Sequence, residues 1–289
     1  MIQVLSRHAL LWSDDKWYRL AWVAGPQAVA LLLAGWLIAV AAHHTDKQGS
    51  AWGVPLTFDQ LDAEMRAVRD QAVTDKSSLQ KLLQLAKDGR PVAQFYAGTL
   101  YDPYSPYIAF TKDVEQAQRY YEQAAEKALP AAEYNLAFML MAGTWNPIDL
   151  AKGCQWARRS AEHGWVGGQR LLGICYRDGS GGTVDKGLAF AWFMRAAQQG
   201  DNVAQAEIMS AYARGEGIPR DEALAFQWGL KAGDAGNAFA QEYLGEAYLS
   251  GKGTRKDEQL AKIYLKQAAN KGNERAQALL ASMPKDAAD

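Results

Sequence analysis

Histidine and cysteine, two residue types that often perform catalysis or bind metals, are scarce in this sequence. Histidine occurs only four times, at His8, His43, His44 and His163. The adjacent pair His43 and His44 would point about 100° apart on a helix, and such a pair seldom holds one ion. The sequence also contains no HExxH motif and no recognisable Ser/His/Asp set. We therefore predict no catalytic residue, no metal ligand and no cofactor site, and a protein that is not an enzyme.

Two glycine-rich segments, GSGGT at residues 179–183 and GKGT at 251–254, resemble phosphate-binding loops at first sight. Neither has the GxxxxGK[ST] form, and no predicted strand precedes either one. Both occupy the same position in a repeated pattern as the segment GEG at residues 215–217. The sequence therefore predicts turns between helices at these places and no nucleotide site.

The two cysteines could be joined to each other. Cys154 and Cys175 lie 11 and 10 residues on either side of a predicted turn near Trp165, so two antiparallel helices would bring them to the same height. In an oxidising compartment this pair can form a disulfide. The alternative is two buried free thiols in niches formed by small residues, and the sequence leaves both interpretations open.

The glycine-rich segments and both cysteines lie in a stretch, from about Pro91 to Met283, that repeats every 36 positions. Aromatic, small and glycine residues recur with the same step, which is typical of stacked helical hairpins and not of a single core. We expect each Trp or Tyr to be buried against small residues of the neighbouring hairpin. The aromatic positions are Tyr120, Trp156, Trp192, Trp228 and Tyr264; the small ones are Ala132, Gly168, Ala204, Ala240 and Ala276; the glycines are Gly143, Gly179, Gly215 and Gly251.

The repeated pattern resembles the Sel-like repeat family, a branch of the tetratricopeptide superfamily. This resemblance implies an all-α fold, a right-handed α-solenoid of antiparallel helical hairpins with 36-residue repeats, and a role as an adaptor or scaffold with no characteristic chemistry. The segment Trp145-Asn146-Pro147 departs from the family pattern where a glycine turn is expected. The last complete repeat matches at Ala240, Leu244, Gly245, Tyr248, Gly251, Gly253, Asp257, Ala261, Tyr264, Ala268, Ala269 and Gly272.

Two loops are candidate partner-binding elements. The repeat that begins at Pro91 is three residues longer than the others, and its loop carries Tyr104, Tyr107 and Phe110. The irregular loop of the next repeat carries Trp145. We predict that these four aromatic side chains contact a partner; the alternative is that they pack back onto the solenoid.

The N-terminal region predicts a membrane anchor. Residues 20–42 form 23 consecutive uncharged positions, enough for a transmembrane helix, and they follow an aromatic and basic interfacial segment, residues 1–19. Basic residues are more frequent before the span than after it, which favours a cytoplasmic N-terminus. A linker at 43–56 then leads to the solenoid at 57–283, which ends in a disordered tail at 284–289. The alternative is a signal peptide cleaved after Ala39-Val40-Ala41.

Composition and topology together suggest a function. The formal charge of −1 and the pI near 6.4 argue against binding to nucleic acid. The predicted protein is a single-pass protein of a bacterial inner membrane whose solenoid is periplasmic. It would act as a scaffold for other proteins of an envelope assembly, of the secretion or exopolysaccharide-export type. The alternatives are a released periplasmic regulator or polysaccharide-binding protein and, less in keeping with the repeats, an envelope hydrolase.

Overall fold

The computed structural model describes residues 58–103, 105, 112–143 and 147–283. All regular structure in these ranges is α-helical, and backbone contacts divide the chain at Glu64 into two units, the second of which begins at Met65. The predicted segments 1–19, 20–42 and 43–56 and the tail 284–289 lie outside the described residues. The helices are α1 Phe58–Ala72, α2 Lys76–Lys87, α3 Pro91–Tyr101, α4 Val114–Glu126, α5 Pro130–Ala142, α6 Leu150–Glu162, α7 Val166–Asp178, α8 Lys186–Gln198, α9 Asn202–Arg214, α10 Glu222–Asp234, α11 Ala238–Ser250, α12 Glu258–Ala269 and α13 Glu274–Ser282.

Helices α3 to α12 form five successive helical hairpins, which we number 1 to 5 in chain order. Each helix packs against the helix before it and the helix after it. First helices of neighbouring hairpins also touch, α5 with α7, α9 with α11, and α11 with α13, whereas no second helices within the described ranges make comparable contacts with each other. The first helices therefore lie closer together and form one common surface, the inner face of an all-helical solenoid.

Each hairpin is closed by an aspartate and, in hairpins 2 to 5, a left-handed glycine. The aspartate caps the second helix by accepting a hydrogen bond from the third backbone N–H of that helix, as Asp185 does from Leu188 at 2.8 Å. Its own N–H donates to a carbonyl in the last turn of the first helix, as from Asp185 to Tyr176 at 2.8 Å. The capping aspartates are Asp113, Asp149, Asp185, Asp221 and Asp257, and the glycines are Gly143, Gly179, Gly215 and Gly251.

The second glycine of each GxG turn allows one hairpin to lie against the previous one. A Cβ atom at Gly253 would be 2.1 Å from the carbonyl oxygen of Glu222, and one at Gly217 would be 2.4 Å from that of Lys186. Glu222 and Lys186 begin the second helices of the preceding hairpins. The turns are thus in backbone contact with their neighbours, and this contact excludes any side chain.

Of the five aromatic positions, Tyr120 is buried as predicted, whereas the three tryptophans are less buried than the sequence predicts. Trp156, Trp192 and Trp228 are each only partly buried, at the boundary between their own hairpin and the preceding one. A cation covers each ring: Arg159 at 4.5 Å, Arg195 at 4.3 Å and Lys231 at 4.1 Å from the ring centre. Cation–π attraction therefore supplements apolar burial along this row.

Buried glutamines link hairpins 1, 4 and 5 to the helix that precedes each of them. Gln94, Gln205 and Gln241 donate from Nε2 to the carbonyl oxygens of Ala86, Ala197 and Gly233, at 3.2, 3.2 and 2.9 Å. Each of these carbonyls lies in the last turn of the preceding second helix, where helical partners are missing. These glutamines therefore stabilise the helix ends and the hairpin boundaries at once.

Glu133 occupies the glutamine position of hairpin 2 and changes the chemistry there. Its side chain is fully buried and has no N–H to donate, so the Nη2 atom of Arg159 donates to Ala125 O in its place, at 3.1 Å. Arg159 Nε lies 3.1 Å from Glu133 Oε1, and His163 Nδ1 lies 2.8 Å from Oε2. An ionic cluster thus replaces the amide link at this boundary.

The close approach at Gly253 predicts a large loss of stability for Gly253→Ala. Both Gly253 and Gly272 have positive φ, +68° and +83°, but nothing lies within 4 Å of a Cβ atom at Gly272. Gly272→Ala should therefore cost about 1–2 kcal/mol from backbone strain alone. Gly253→Ala should cost at least about 2 kcal/mol more, since the turn must also move off Glu222. Urea denaturation followed by circular dichroism measures both; equal losses would contradict the backbone contact.

The buried Glu133 predicts that Arg159 matters more than the equivalent arginine of the next hairpin. Arg159→Met should cost about 2–3 kcal/mol because it leaves a buried carboxylate with less compensation. Arg195→Met, whose hairpin has Gln169 at the corresponding position, should cost about 1 kcal/mol or less. In a Glu133→Gln background, Arg159→Met should become as mild as Arg195→Met. Denaturation of the four variants tests this, and an Arg159 effect that persists in the Glu133→Gln background would exclude the explanation.

Candidate partner-binding surfaces

The four aromatic residues proposed as partner contacts, Tyr104, Tyr107, Phe110 and Trp145, lie outside the described residues. The described residues on either side show where their loops begin and end. Asp113 N donates to Tyr101 O at 3.1 Å, the same closing hydrogen bond as in the later hairpins, although here it encloses three more residues. The expected insertion is therefore accommodated in the loop, and the helices around it keep their pairing.

The irregular loop of hairpin 2 is closed in the same way. Asp149 N donates to Leu140 O at 2.9 Å, across the same number of residues as in hairpins 3 to 5. The loops of hairpins 1 and 2 thus leave and rejoin the solenoid at the same edge, since both connect a first helix to its second helix. The described ends of the two candidate loops therefore lie at the same edge.

Exposed apolar side chains continue along this edge. Ile148 and Val184 hold equivalent positions in hairpins 2 and 3 and are 64% and 57% exposed. Leu150 and Leu188, in the first turns of α6 and α8, are also exposed. We call Ile148, Leu150, Val184 and Leu188 the apolar edge. The positions of Ile148 and Val184 are occupied by Arg220 and Lys256 in hairpins 4 and 5, so these positions change from apolar to basic along the chain. The position of Leu188 remains leucine in both later hairpins.

The inner face has a different character along its length. On α5, the rings of Tyr134 and Phe138 stack with centres 6.4 Å apart, and Phe138 is 49% exposed. On α9 the corresponding positions carry the small residues Ala206 and Ser210. The aromatic pair is therefore the main apolar feature of this face in hairpin 2.

Ion pairs join successive first helices beyond the aromatic pair. Arg170 Nε lies 3.0 Å from Asp201 Oδ2, and Arg177 Nη1 lies 2.5 Å from Glu207 Oε1. Although burial opposes its charge, the Asp201 carboxylate raises the pKa of Arg170. Hydrogen bonds from Arg177 lower the pKa of the Asp178 carboxyl group. These charges neutralise one another and stabilise the stacking of the first helices.

A disulfide joins Cys154 of α6 to Cys175 of α7, with the two sulfur atoms 2.04 Å apart. Both residues are almost completely buried, at 5% and 4% exposure. The bond connects hairpin 2 to hairpin 3, which is the first of the two alternatives that the sequence left open. By closing a loop of about 20 residues, it should stabilise the folded chain by about 3 kcal/mol.

Sequence reasoning missed the apolar edge and the cluster of Glu133, Arg159 and His163. A glutamate at a position that is otherwise glutamine was the available signal for the cluster. The described residues contain no group of three or more His, Cys, Asp or Glu side chains that could hold a metal ion. No helix among them is both long and apolar enough to cross a bilayer, and the predicted span at 20–42 lies outside them.

Comparison with known proteins identifies the repeats. The family model described as the Sel1 repeat matches residues 108–129, 130–165, 167–201, 204–237 and 238–273. No curated protein matches the sequence.

Two solved structures show the same architecture. One is a protective antigen of uropathogenic Escherichia coli strains that displays an SLR fold; it is 28% identical, with a TM-score of 0.67, over 78% of this chain and 51% of the other. The second is a Sel1 repeat protein from Oxalobacter formigenes, 30% identical, with a TM-score of 0.64, over 80% of this chain and 61% of the other. This chain thus spans about half and three fifths of their lengths. Because the family model covers more than half of the chain and matches the observed hairpins, this protein belongs to the Sel1 repeat family.

Proposed function

We propose that this protein is a membrane-anchored scaffold that holds its solenoid outside the cytoplasm and binds other proteins of an envelope assembly, of the secretion or exopolysaccharide-export type. Sel1 repeats suggest protein–protein interaction as the general role. Beyond this general role we propose a location outside the cytoplasm, an N-terminal membrane anchor and a particular binding surface. Each rests on a separate observation.

The compartment is supported by the disulfide. A disulfide such as that between Cys154 and Cys175 persists in an oxidising environment, and disulfides are rare in the reducing cytosol.

The uncharged segment at 20–42 supplies an anchor of sufficient length, and the excess of basic residues before it favours export of the solenoid. Bilayer contact is therefore proposed for residues 20–42.

The apolar edge is the observation that supports partner binding most directly. Ile148 and Val184 are exposed, and the equivalent positions of later hairpins carry the charged residues Arg220 and Lys256. The fold itself therefore does not require an apolar residue at these positions. The loops that carry Tyr104, Tyr107, Phe110 and Trp145 begin and end at the same side of the hairpins. Exposed apolar side chains grouped in this way are typical of protein interaction sites. We infer that the loops and the apolar edge form one contact surface for a protein partner.

Substitution of the edge tests this surface. The variant Ile148→Arg/Val184→Lys introduces the residue types found in hairpins 4 and 5, so its stability should change by less than about 1 kcal/mol. Cross-linked capture of partners in cells should fall about tenfold or more, because charges replace the apolar contact. Phe138→Ser, on the inner face, serves as the matched control. If Phe138→Ser abolishes capture and the edge variant does not, partners bind the inner face instead.

The anchor is tested by comparing the full chain with a form that lacks residues 1–42 and is exported by a cleavable signal. The full chain should fractionate with the inner membrane, and its N-terminal residues should be recovered by mass spectrometry. The shortened form should be released in soluble form by opening the outer membrane. A mature chain that starts at Ala42 or His43 would identify a released periplasmic protein. Binding to polysaccharide but to no protein would favour the polysaccharide-binding alternative.

A further inference from the structure

The disulfide occupies a position where the later hairpin boundaries use aromatic packing. Phe190 and Ala211 occupy the positions one repeat after Cys154 and Cys175, respectively. The ring of Phe190 packs edge-on against Tyr212 of the next hairpin, with centres 5.5 Å apart. The boundary between hairpins 2 and 3 therefore has a covalent bond where this later boundary has a pair of rings.

The boundary between hairpins 4 and 5 also has aromatic packing in place of the disulfide. Phe226 and Ala247 occupy the corresponding positions, and Phe226 packs edge-on against Tyr248 at 5.2 Å. At the cysteine boundary, Tyr176 corresponds to Tyr248, but its ring is approached by the guanidinium of Arg158 at 5.5 Å. Because residue 154 is a cysteine, hairpin 2 has no aromatic ring at this position that could pack on Tyr176.

Several glycines lie among the apolar contacts of this boundary, which include Ala157, Leu171 and Leu172. Helix α7 has Gly167 and Gly168 in its first turn, and α6 contains Gly153. A Cβ atom at Gly168 would be 2.4 Å from Ser160 Oγ, so the backbones are in close contact with no side chain between them. Glycine inside a helix costs about 0.8–1.0 kcal/mol relative to alanine. These glycines therefore lower the intrinsic helix stability of α6 and α7, and the disulfide adds a covalent link to the apolar contacts between them.

A glycine-rich turn covers the bond. A Cβ atom at Gly181 would be 2.9 Å from Cys154 Cβ, so the turn between α7 and α8 lies directly on the cysteine. Gly182 beside it has φ of +142° and no atom near its Cβ position. Displacement of this short turn would give a reductant access to the sulfur atoms.

We propose that the Cys154–Cys175 disulfide is a redox-operated clasp between hairpins 2 and 3. A thiolate of an external dithiol attacks one sulfur, the Cys154–Cys175 bond breaks, and a mixed disulfide forms. The second thiol of the donor then displaces the protein thiol. The protein gains two electrons and two protons as two thiols, and the donor becomes a disulfide. The reduced chain opens locally at α6–α7, while the hairpins on either side keep their own packing.

Amide hydrogen exchange of the full-length chain, in detergent and with and without a dithiol reductant, measures this opening. Mass spectrometry after thiol alkylation establishes complete reduction. Exchange in α6 and α7 should become about 10- to 100-fold faster on reduction, as expected when a loop of this length is no longer closed. Exchange in α10 and α11, whose boundary has Phe226 and Tyr248, should remain unchanged.

Two variants complete the test. Cys154→Phe/Cys175→Ala recreates the Phe and Ala pair of the next two boundaries, so its exchange should be slow and insensitive to reductant. Cys154→Ala/Cys175→Ala should exchange rapidly at α6–α7 even without reductant. The proposal is overturned if the fully reduced chain exchanges at the oxidised rate, if reduction accelerates exchange equally in all hairpins, or if the double-alanine variant behaves like the oxidised chain.

Discussion

Close approach of backbones between neighbouring hairpins is the constraint on which this structure depends. A hairpin of two 13-residue helices, such as α9 and α10, cannot enclose a core of its own, so it must share one with its neighbours. Fully buried alanines such as Ala204 and Ala240 permit the helices to meet, and Gly217 and Gly253 permit the turns to meet backbone to backbone. Once these distances are set, only a few side-chain types fit at each repeated position.

This constraint also shows where function can reside. Positions that serve stacking repeat the same residue types, and they carry no information about a particular partner. Departures from the pattern are different: Glu133 replaces a glutamine, and Cys154 stands where Phe190 and Phe226 stand later. Ile148 and Val184 are apolar where later hairpins are basic. All these departures lie in hairpins 2 and 3, so these two hairpins are the more specialised part of the described chain.

Hairpins 2 and 3 contain both a covalent link and a buried ionic cluster. The glutamine links between other hairpins are neutral, and their strength depends little on the solution outside. A disulfide depends on the redox state, and the cluster around Glu133 depends on the charge of Arg159 and on a contact with the ring of His163, two partly exposed residues. Hairpins 2 and 3 are thus joined to their neighbours by interactions that respond more strongly to the environment than those of hairpins 4 and 5.

The all-helical repeat architecture could be predicted from the sequence because the 36-residue step records a local requirement that every hairpin meets in the same way. The cysteine pairing could not be decided, since similar spacing suits two thiols or one bond. The predicted depth of Trp156, Trp192 and Trp228 was wrong, because period alone does not say how far a ring lies from the surface.

By itself, then, the sequence determined the hairpins and their order, which depend on residue types at fixed local spacing. Only the tertiary structure decided that Arg159 takes over a missing amide bond, that cations cover the tryptophan rings and that four apolar side chains share one edge. Those features depend on distances between residues of different helices, which exist only after the hairpins have stacked.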